Sequence, residues 1–443
     1  MLPLTLKKIK LITLGCSKNR VDSEHLLRQI ARNGFDVEVI EESSYAKGAD
    51  LLLVNTCGFI HDAKKESIDV ILSAVEDKKR GDIGQVFVFG CLSQRYPLEL
   101  KELIPEVDHF FGVFDREAIL SALGGIWDNN FSHERILSTP SHYAFLKISE
   151  GCDRSCSYCS IPLIRGGHIS VLEDQLIREA KLLADHGVKE LVIVAQDTTY
   201  YGIDTKGERK IASLVEKLSR IKSIEWIRML YAYPAGFPED LLKVMSENPK
   251  VCKYLDIPLQ HISDKVLTAM RRGVDSKTIR SLVQRFREKV PGIVLRTTMM
   301  VGHPGEGKRE FEELLKFVED ARFERLGAFE YSQEEGTWGA SNLRDRISNA
   351  EKSERFGRLM ELQSAISLEY NRTRIGGSER VLIDRVEEGL PVGRTSKEAP
   401  EVDGEVIVRG CGENGDINKL IGKFVTVEVK DADEYDLYSK ILY

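Results

Sequence analysis

The segment EGCDRSCSYCSIPLIRG places Cys152, Cys156 and Cys159 in a C-x3-C-x2-C arrangement. Three thiolates on one tight loop can ligate three irons of a 4Fe-4S cluster, since thiolate is the usual ligand of such irons. A structural zinc knuckle is the rival reading. That site wants a fourth protein ligand, commonly from a second C-x2-C pair, and no such pair stands nearby. The missing ligand is informative, because one iron keeps an open position for a molecule that is not protein.

Cys16, Cys57 and Cys91 close the runs ITLGC, LVNTCG and FVFGC. Singly, each reads as a small buried residue at a strand end. Together they follow three strands of one expected parallel sheet, whose carboxyl edge is where ligands sit. Cys252 and Cys411 have no partner at metal-ligand spacing and read as structural.

Periodicity supplies the elements that must position these groups. Apolar runs at 9–14, 37–40, 51–55, 86–89 and 109–112, with helical patterns such as 21–33 between them, predict a doubly wound parallel sheet. Residues 127–141, with WDNNFSHE and a proline, mark a boundary. Strands at 143–148, 191–195, 226–232, 254–258, 294–301 and 326–331, with helices such as 173–186 and 264–271, predict an open, partial (β/α)6 barrel. Its functional loops lie at the carboxyl ends of strands. A long amphipathic helix at 349–374 closes it. After Gly376 and Gly377, the runs RVLIDRV, EVIVRG and KFVTVEVK predict a small all-β barrel of oligonucleotide-binding type. The expected class is α/β with three domains, at 1–126, 127–374 and 375–443.

At 443 residues the chain is too long for a single small binding module. Its 42% apolar and 30% charged residues suit a globular protein, and no apolar run approaches the ~18 residues that span a bilayer. The start, MLPLTLKKIKLITLGC, lacks a small-residue cleavage site and reads as a first strand. The expected compartment is the cytoplasm, where cysteines serve metals or redox chemistry more than disulfides. With 63 Lys and Arg against 70 Asp and Glu, the net charge of -7 gives no general attraction to nucleic acid.

The C-x3-C-x2-C loop resembles that of the radical S-adenosylmethionine enzymes. The resemblance implies a 4Fe-4S cluster on Cys152, Cys156 and Cys159, with S-adenosylmethionine chelating the open iron and being cleaved by one electron to a 5′-deoxyadenosyl radical. Tyr158 matches the family position against that cofactor; as a loop tyrosine it reads equally as packing. LGCSKN-x2-DSE, VNTCGFI and FGCLSQR extend the resemblance to the methylthiotransferases over essentially the whole chain. That likeness implies a second 4Fe-4S cluster on Cys16, Cys57 and Cys91, which carries the sulfur to be inserted, and a TRAM-like terminal barrel. Asn19, Asp22, Ser23 and Glu24 match the motif and also suit helix capping. QDTTYYG and RTTMMVGHPGE offer Gln196, Arg296 and Gly302 as S-adenosylmethionine contacts, although glycines there also serve turns. Arg165, Gly166 and Gly167 resemble a family-typical stretch without an assigned role.

One branch of that family acts on an adenosine of transfer RNA; the other acts on an aspartate β-carbon of a small-subunit ribosomal protein, number twelve. The stretch QHI in LDIPLQHISDKVLTAMRR, with GRTSKEAPEVDGEV, looks like the ribosomal-protein branch. His261 itself reads as a strand-end histidine bonded to the rim. The implied partners are that basic ribosomal protein, a sulfur donor, and a low-potential electron donor such as flavodoxin or ferredoxin. From Thr373 onward, 10 Lys and Arg face 15 Asp and Glu, a net of -5. Such a barrel suits a basic protein better than RNA phosphates, with Glu398, Glu401 and Asp403 as candidate docking acids. A non-catalytic iron-sulfur carrier is the reading of another class; the unfilled fourth ligand weighs against it.

Overall fold

The computed structural model describes residues 8–410 and 417–442, so Cys411 lies outside the described residues. Strands β1 (Lys8–Thr13), β2 (Asp36–Val39), β3 (Ala49–Thr56), β4 (Ile83–Gly90) and β5 (His109–Phe110) form a parallel sheet in the order β2-β1-β3-β4-β5. The run ADLLLVNT is buried along nearly its whole length, as a strand covered on both faces requires. Helices Ser17–Arg32 and Arg116–Ala122 pack on Ile9, Leu11, Leu51 and Leu53, while helix His61–Lys79 packs on Leu52, Val54, Val86 and Val88. The register sets Thr13 beside Asn55 and Thr56 beside Gly90. The three strands therefore end level, and Cys16, Cys57 and Cys91 come to one rim.

The first helix begins at Ser17, directly after Cys16, rather than at 21. Asn19, Asp22, Ser23 and Glu24 thus lie inside it and are buried, which overturns capping as their role.

In the central region β6 (Tyr143–Lys147) is followed by the short antiparallel pair β7 (Ser149–Glu150) and β8 (Ile169–Ser170), which flanks the loop bearing Cys152, Cys156 and Cys159. Then come β9 (Glu190–Val194), β10 (Trp226–Met229), β11 (Val251–Asp256), β12 (Val294–Val301) and β13 (Arg325–Glu330). Six of these strands make an open parallel sheet in the order β13-β12-β11-β10-β9-β6. Strand β10 stops at Met229, short of 232, because Tyr231 takes a left-handed φ of 62° and its N–H donates to Asp256 Oδ2 at 3.0 Å. Alternation gives the sheet two apolar faces. Leu146, Ile193, Ile227, Leu255 and Leu295 pack toward the helices, while Tyr143, Phe145, Val192, Trp226, Tyr254 and Val294 join Leu382 and Ala399 of the last region.

That last region follows helix Asn349–Arg372 and is a closed barrel of β14 (Ser378–Glu387), β15 (Leu390–Arg394), β16 (Val406–Arg409), β17 (Phe424–Ala432) and β18 (Leu437–Ile441). The segment after β15 plugs the inner face of the central sheet with charge. Glu190 accepts from Arg228 at 2.7 Å and from Arg394 at 2.8 Å, all three fully or almost fully buried. Glu398 pairs with Arg374 and with Arg325. Tyr143 donates to Glu401 at 2.9 Å, and Tyr254 to Asp403 at 2.6 Å. Glu398, Glu401 and Asp403 are therefore spent on the junction between two regions of this chain, and none is a free docking acid. The net charge of the segment could not reveal which acids already had partners.

Burial alone would raise the carboxyls of Glu190, Glu398 and Asp384. Arg394 and Arg228 at the first, Arg374 and Arg325 at the second, and Arg394 with His142 at the third outweigh it and hold all three below the ordinary carboxylate range. Depressed folded-state values mean that this stabilisation is present above the unfolded value of about 4 and is lost as pH falls through and below it. Hydrogen exchange followed from pH 7 downward should show the terminal barrel losing protection below about pH 4. Barrel protection that stays unchanged well below about pH 4 would contradict this assignment.

Candidate functional site

The amino-terminal rim is tightly drawn. A Cβ on Gly15 would lie 2.7 Å from Cys57 Cβ and 2.9 Å from its Sγ, and one on Gly58 would lie 2.8 Å from Leu92 Cα. The loops bearing Cys16, Cys57 and Cys91 thus pass directly against one another. Asn19 ties them by donating to the carbonyls of Leu14 at 3.1 Å and Thr56 at 3.0 Å, and its Oδ1 stands 3.5 Å from Cys91 Sγ. Ser23 accepts from Thr13 and Asn55, and Glu24 accepts from Ser138 of the linker. The motif residues therefore lace the rim and its surroundings together.

The thiols do not share one environment. Burial works to raise Cys16, but Lys18, Arg165 and two backbone N–H groups outweigh it and leave the thiol below its ordinary value. Burial pushes Cys57 up to about 12 and also raises Cys91, the latter against the pull of Arg165. Lys18 itself is buried, with Nζ 3.4 Å from the centre of the Tyr231 ring. That contact carries the first cysteine's neighbour into the mouth of the central sheet.

The second trio follows β7. Gly151 has a φ of +67°, and a Cβ there would meet the Gly167 carbonyl oxygen at 2.0 Å, so no other residue fits before Cys152. Arg272 donates to Cys156 Sγ at 3.4 Å and to Tyr158 Oη at 3.3 Å, while Tyr233 Oη lies 3.6 Å from Cys156 Sγ. Arg154 and Arg272 stack on Tyr233, each 4.2 Å from the ring centre. Burial raises Cys152 to about 11 and Cys159 to about 12. It also holds the Tyr158 phenol neutral despite Arg272.

The other candidates divide. Gln196, just past β9, donates to Glu150 at 3.0 Å, and its buried Oε1 has no partner among the described residues. An acceptor left in that state awaits a donor. Arg296 is engaged by Asp256 at 3.0 Å and Asp403 at 3.4 Å. It lines a cavity of about 510 Å³ shared with Arg325, Gln363 and the terminal barrel, so its contacts are those of the junction. Gly302, with φ +75°, donates to Glu306 at 3.0 Å and leaves room for the Lys352 stem, which a Cβ would strike at 2.4 Å. His261 accepts from Ser263 N–H at 3.0 Å and meets Glu306 at 3.2 Å, the rim-bonded histidine its position suggests. Cys252 is buried between the central sheet and the barrel.

Sequence reasoning gave Arg165 no role and passed over Lys18, Glu150, Arg272 and Tyr233. Only their nearness to the cysteine motifs or to strand ends hinted at them. Across the site, the donor set suits iron-sulfur ligation: six thiols in two groups of three, with Arg165 at Cys91 and Arg272 at Cys156 where thiolate charge would gather. Among the described residues no three His, Cys, Asp or Glu side chains converge on one point as a mononuclear ion demands.

Comparison with known proteins adds an independent line. Residues 146–318 match the Radical SAM superfamily, residues 8–112 the uncharacterized protein family UPF0004, and residues 375–442 the TRAM domain. The chain is 49% identical over 436 residues to the ribosomal protein uS12 methylthiotransferase RimO of Bacteroides fragilis, covering 98% of this chain and 99% of that protein. It is 50% identical over 435 residues to the protein of the same name from Porphyromonas gingivalis, with 98% and 99% covered. Among solved structures, the radical S-adenosylmethionine methyltransferase TsrM of Kitasatospora setae aligns with a TM-score of 0.53 at 14% identity, over 73% of this chain and 75% of that one. That last likeness shows the shared fold.

Proposed function

The chain belongs to the family of ribosomal protein uS12 methylthiotransferases, RimO, and from that premise we propose how its residues divide the work. It is a radical S-adenosylmethionine methylthiotransferase of ribosomal protein uS12, and its family implies a 4Fe-4S cluster and S-adenosylmethionine. The relatives lend no support to a transfer-RNA substrate. The methylthio group is added at the β-carbon of an aspartate in the cytoplasm, where the ribosomal substrate is found.

Cys152, Cys156 and Cys159 hold the first cluster, and Cys16, Cys57 and Cys91 hold a second. When bound, these groups and S-adenosylmethionine supply the radical that removes hydrogen from carbon and the methylated sulfur that replaces it. The protein's part is placement. Gln196, fixed by Glu150 and with its Oε1 unpartnered, would help to hold S-adenosylmethionine, and so would Tyr158, whose phenol burial keeps protonated. Arg296 and the Gly302 turn shape the strand ends from behind. Lys18 and Tyr231 bring the amino-terminal rim over the sheet mouth, where the substrate carbon must lie between the two trios. A low-potential donor of the flavodoxin or ferredoxin kind and a separate sulfur donor serve the reaction. The terminal barrel docks the basic substrate through acids left facing solvent, such as Glu388 and Asp431.

The reading is supported by Arg165, whose guanidinium reaches from Cys91 Sγ to Glu150 at the approach to the Cys152 loop, and by Arg272 at Cys156. It is tested by reductive cleavage of S-adenosylmethionine in parallel reactions with uS12, with bulk transfer RNA and with neither. Methylthiolation of uS12 alone is expected. Modified transfer RNA beside untouched uS12 would overturn the substrate assignment.

A further inference from the structure

Arg165 ends the short helix Ile161–Arg165 that follows the cluster loop, and its side chain is only 3% exposed. Its Nε donates to Cys91 Sγ at 3.4 Å, one Nη to Asn19 Oδ1 at 2.5 Å, and the other to Asp22 Oδ2 at 2.9 Å and Glu150 Oε2 at 2.8 Å. Cys91, Asn19 and Asp22 belong to the amino-terminal rim, whereas Glu150 ends β7, just before the Cys152 loop. One side chain thus spans from a thiol of one trio to the approach of the other. A guanidinium withdrawn from water needs its donors met, and a pin between regions could be made with carboxylates alone. A bond to sulfur brings something different, since a cation there stabilises whatever negative charge the sulfur carries.

We propose that Arg165 is a positioning residue that fixes Cys91 and, through its charge, raises the reduction potential of the iron-sulfur group held by Cys16, Cys57 and Cys91. The proposal rests on the reading that this trio holds its own cluster. An added electron makes a cluster more negative, and hydrogen bonds and charge at its sulfurs set the potential. Asp22, on the same guanidinium, works in the opposite sense. Its carboxylate also pairs with Lys147, which in turn pairs with Glu150 at 2.9 Å, so the bridge is a balanced set of charges. Neutralising either member should move the potential, and the two should move it in opposite directions.

The test uses the full chain with Cys152, Cys156 and Cys159 replaced by alanine, reconstituted with iron and sulfide, assayed for iron, and titrated with dithionite under electron paramagnetic resonance. In that background Arg165→Gln is expected to shift the midpoint to lower potential and Asp22→Asn to higher potential. Arg165→Lys, which keeps the charge and loses the fork, is expected between wild type and Arg165→Gln. Hydrogen exchange of helix Ser17–Arg32 reports whether each variant keeps the rim closed, and Arg165→Lys serves where the glutamine variant does not fold. A chain without iron in this background overturns the two-cluster reading beneath the proposal. Iron present, with the midpoints of Arg165→Gln and Asp22→Asn unmoved or moved the same way, overturns the role of Arg165 itself.

Discussion

Replacing Cys152, Cys156 and Cys159 together by alanine is expected, on the proposal that each trio ligates its own cluster, to lower bound iron to roughly half and to abolish 5′-deoxyadenosine formation. The reciprocal change at Cys16, Cys57 and Cys91 should cost a similar share of iron yet leave 5′-deoxyadenosine detectable, while methylthio product disappears. The asymmetry follows from where the trios sit. Cys152, Cys156 and Cys159 share their loop with Tyr158 and lie beside Glu150, which holds Gln196, whereas Cys16, Cys57 and Cys91 belong to a separate sheet rim. Iron analysis and chromatography of the nucleoside product read both effects. If either triple variant retained all its iron, the two-site assignment would be wrong.

Glu190→Ala is expected to destabilise the junction of the central sheet and terminal barrel by about 3–5 kcal/mol, the usual cost of removing one member of a buried ion pair. Arg228 and Arg394 would keep their positive charges in a site from which water is excluded, with the carboxylate between them gone. Glu190→Gln keeps the shape and should be less damaging. Urea unfolding of the two variants beside wild type measures the difference. A midpoint for Glu190→Ala within error of wild type would mean that the charge layer contributes little and that Leu382 and Ala399 hold the barrel by packing alone.

The parts legible in the sequence were those written in local patterns. Strand β12 was delimited correctly because VLRTTMMV is bounded by clear turn residues, and the expectation of a cluster loop rests on three cysteines in one stretch. The convergence of Cys16, Cys57 and Cys91 could be inferred because parallel strands with helical crossovers leave little choice of rim. What escaped depended on long-range partners. The all-β barrel was expected, but two of its strands were not read: β15 contains proline and glycine and β18 is short and partly polar, so their place rests on pairing that no local propensity announces. Asn19 and Asp22 looked like helix-start residues because polar side chains near a cysteine loop are ordinary caps. Their partners, Arg165 and Lys147, lie more than a hundred positions away. Glu398, Glu401 and Asp403 misled for the same reason, since counting charge says nothing of pairing.

The central claim is that this chain removes hydrogen from an aspartate β-carbon of uS12 and puts a methylthio group in its place. The most direct measurement uses uS12 carrying deuterium at the aspartate β-positions, with mass spectrometry of both the nucleoside and the recovered protein after turnover. Deuterium should appear in 5′-deoxyadenosine, and one aspartate should gain a methylthio group with loss of one deuterium. Deuterium remaining wholly in uS12 while 5′-deoxyadenosine accumulates would contradict the claim.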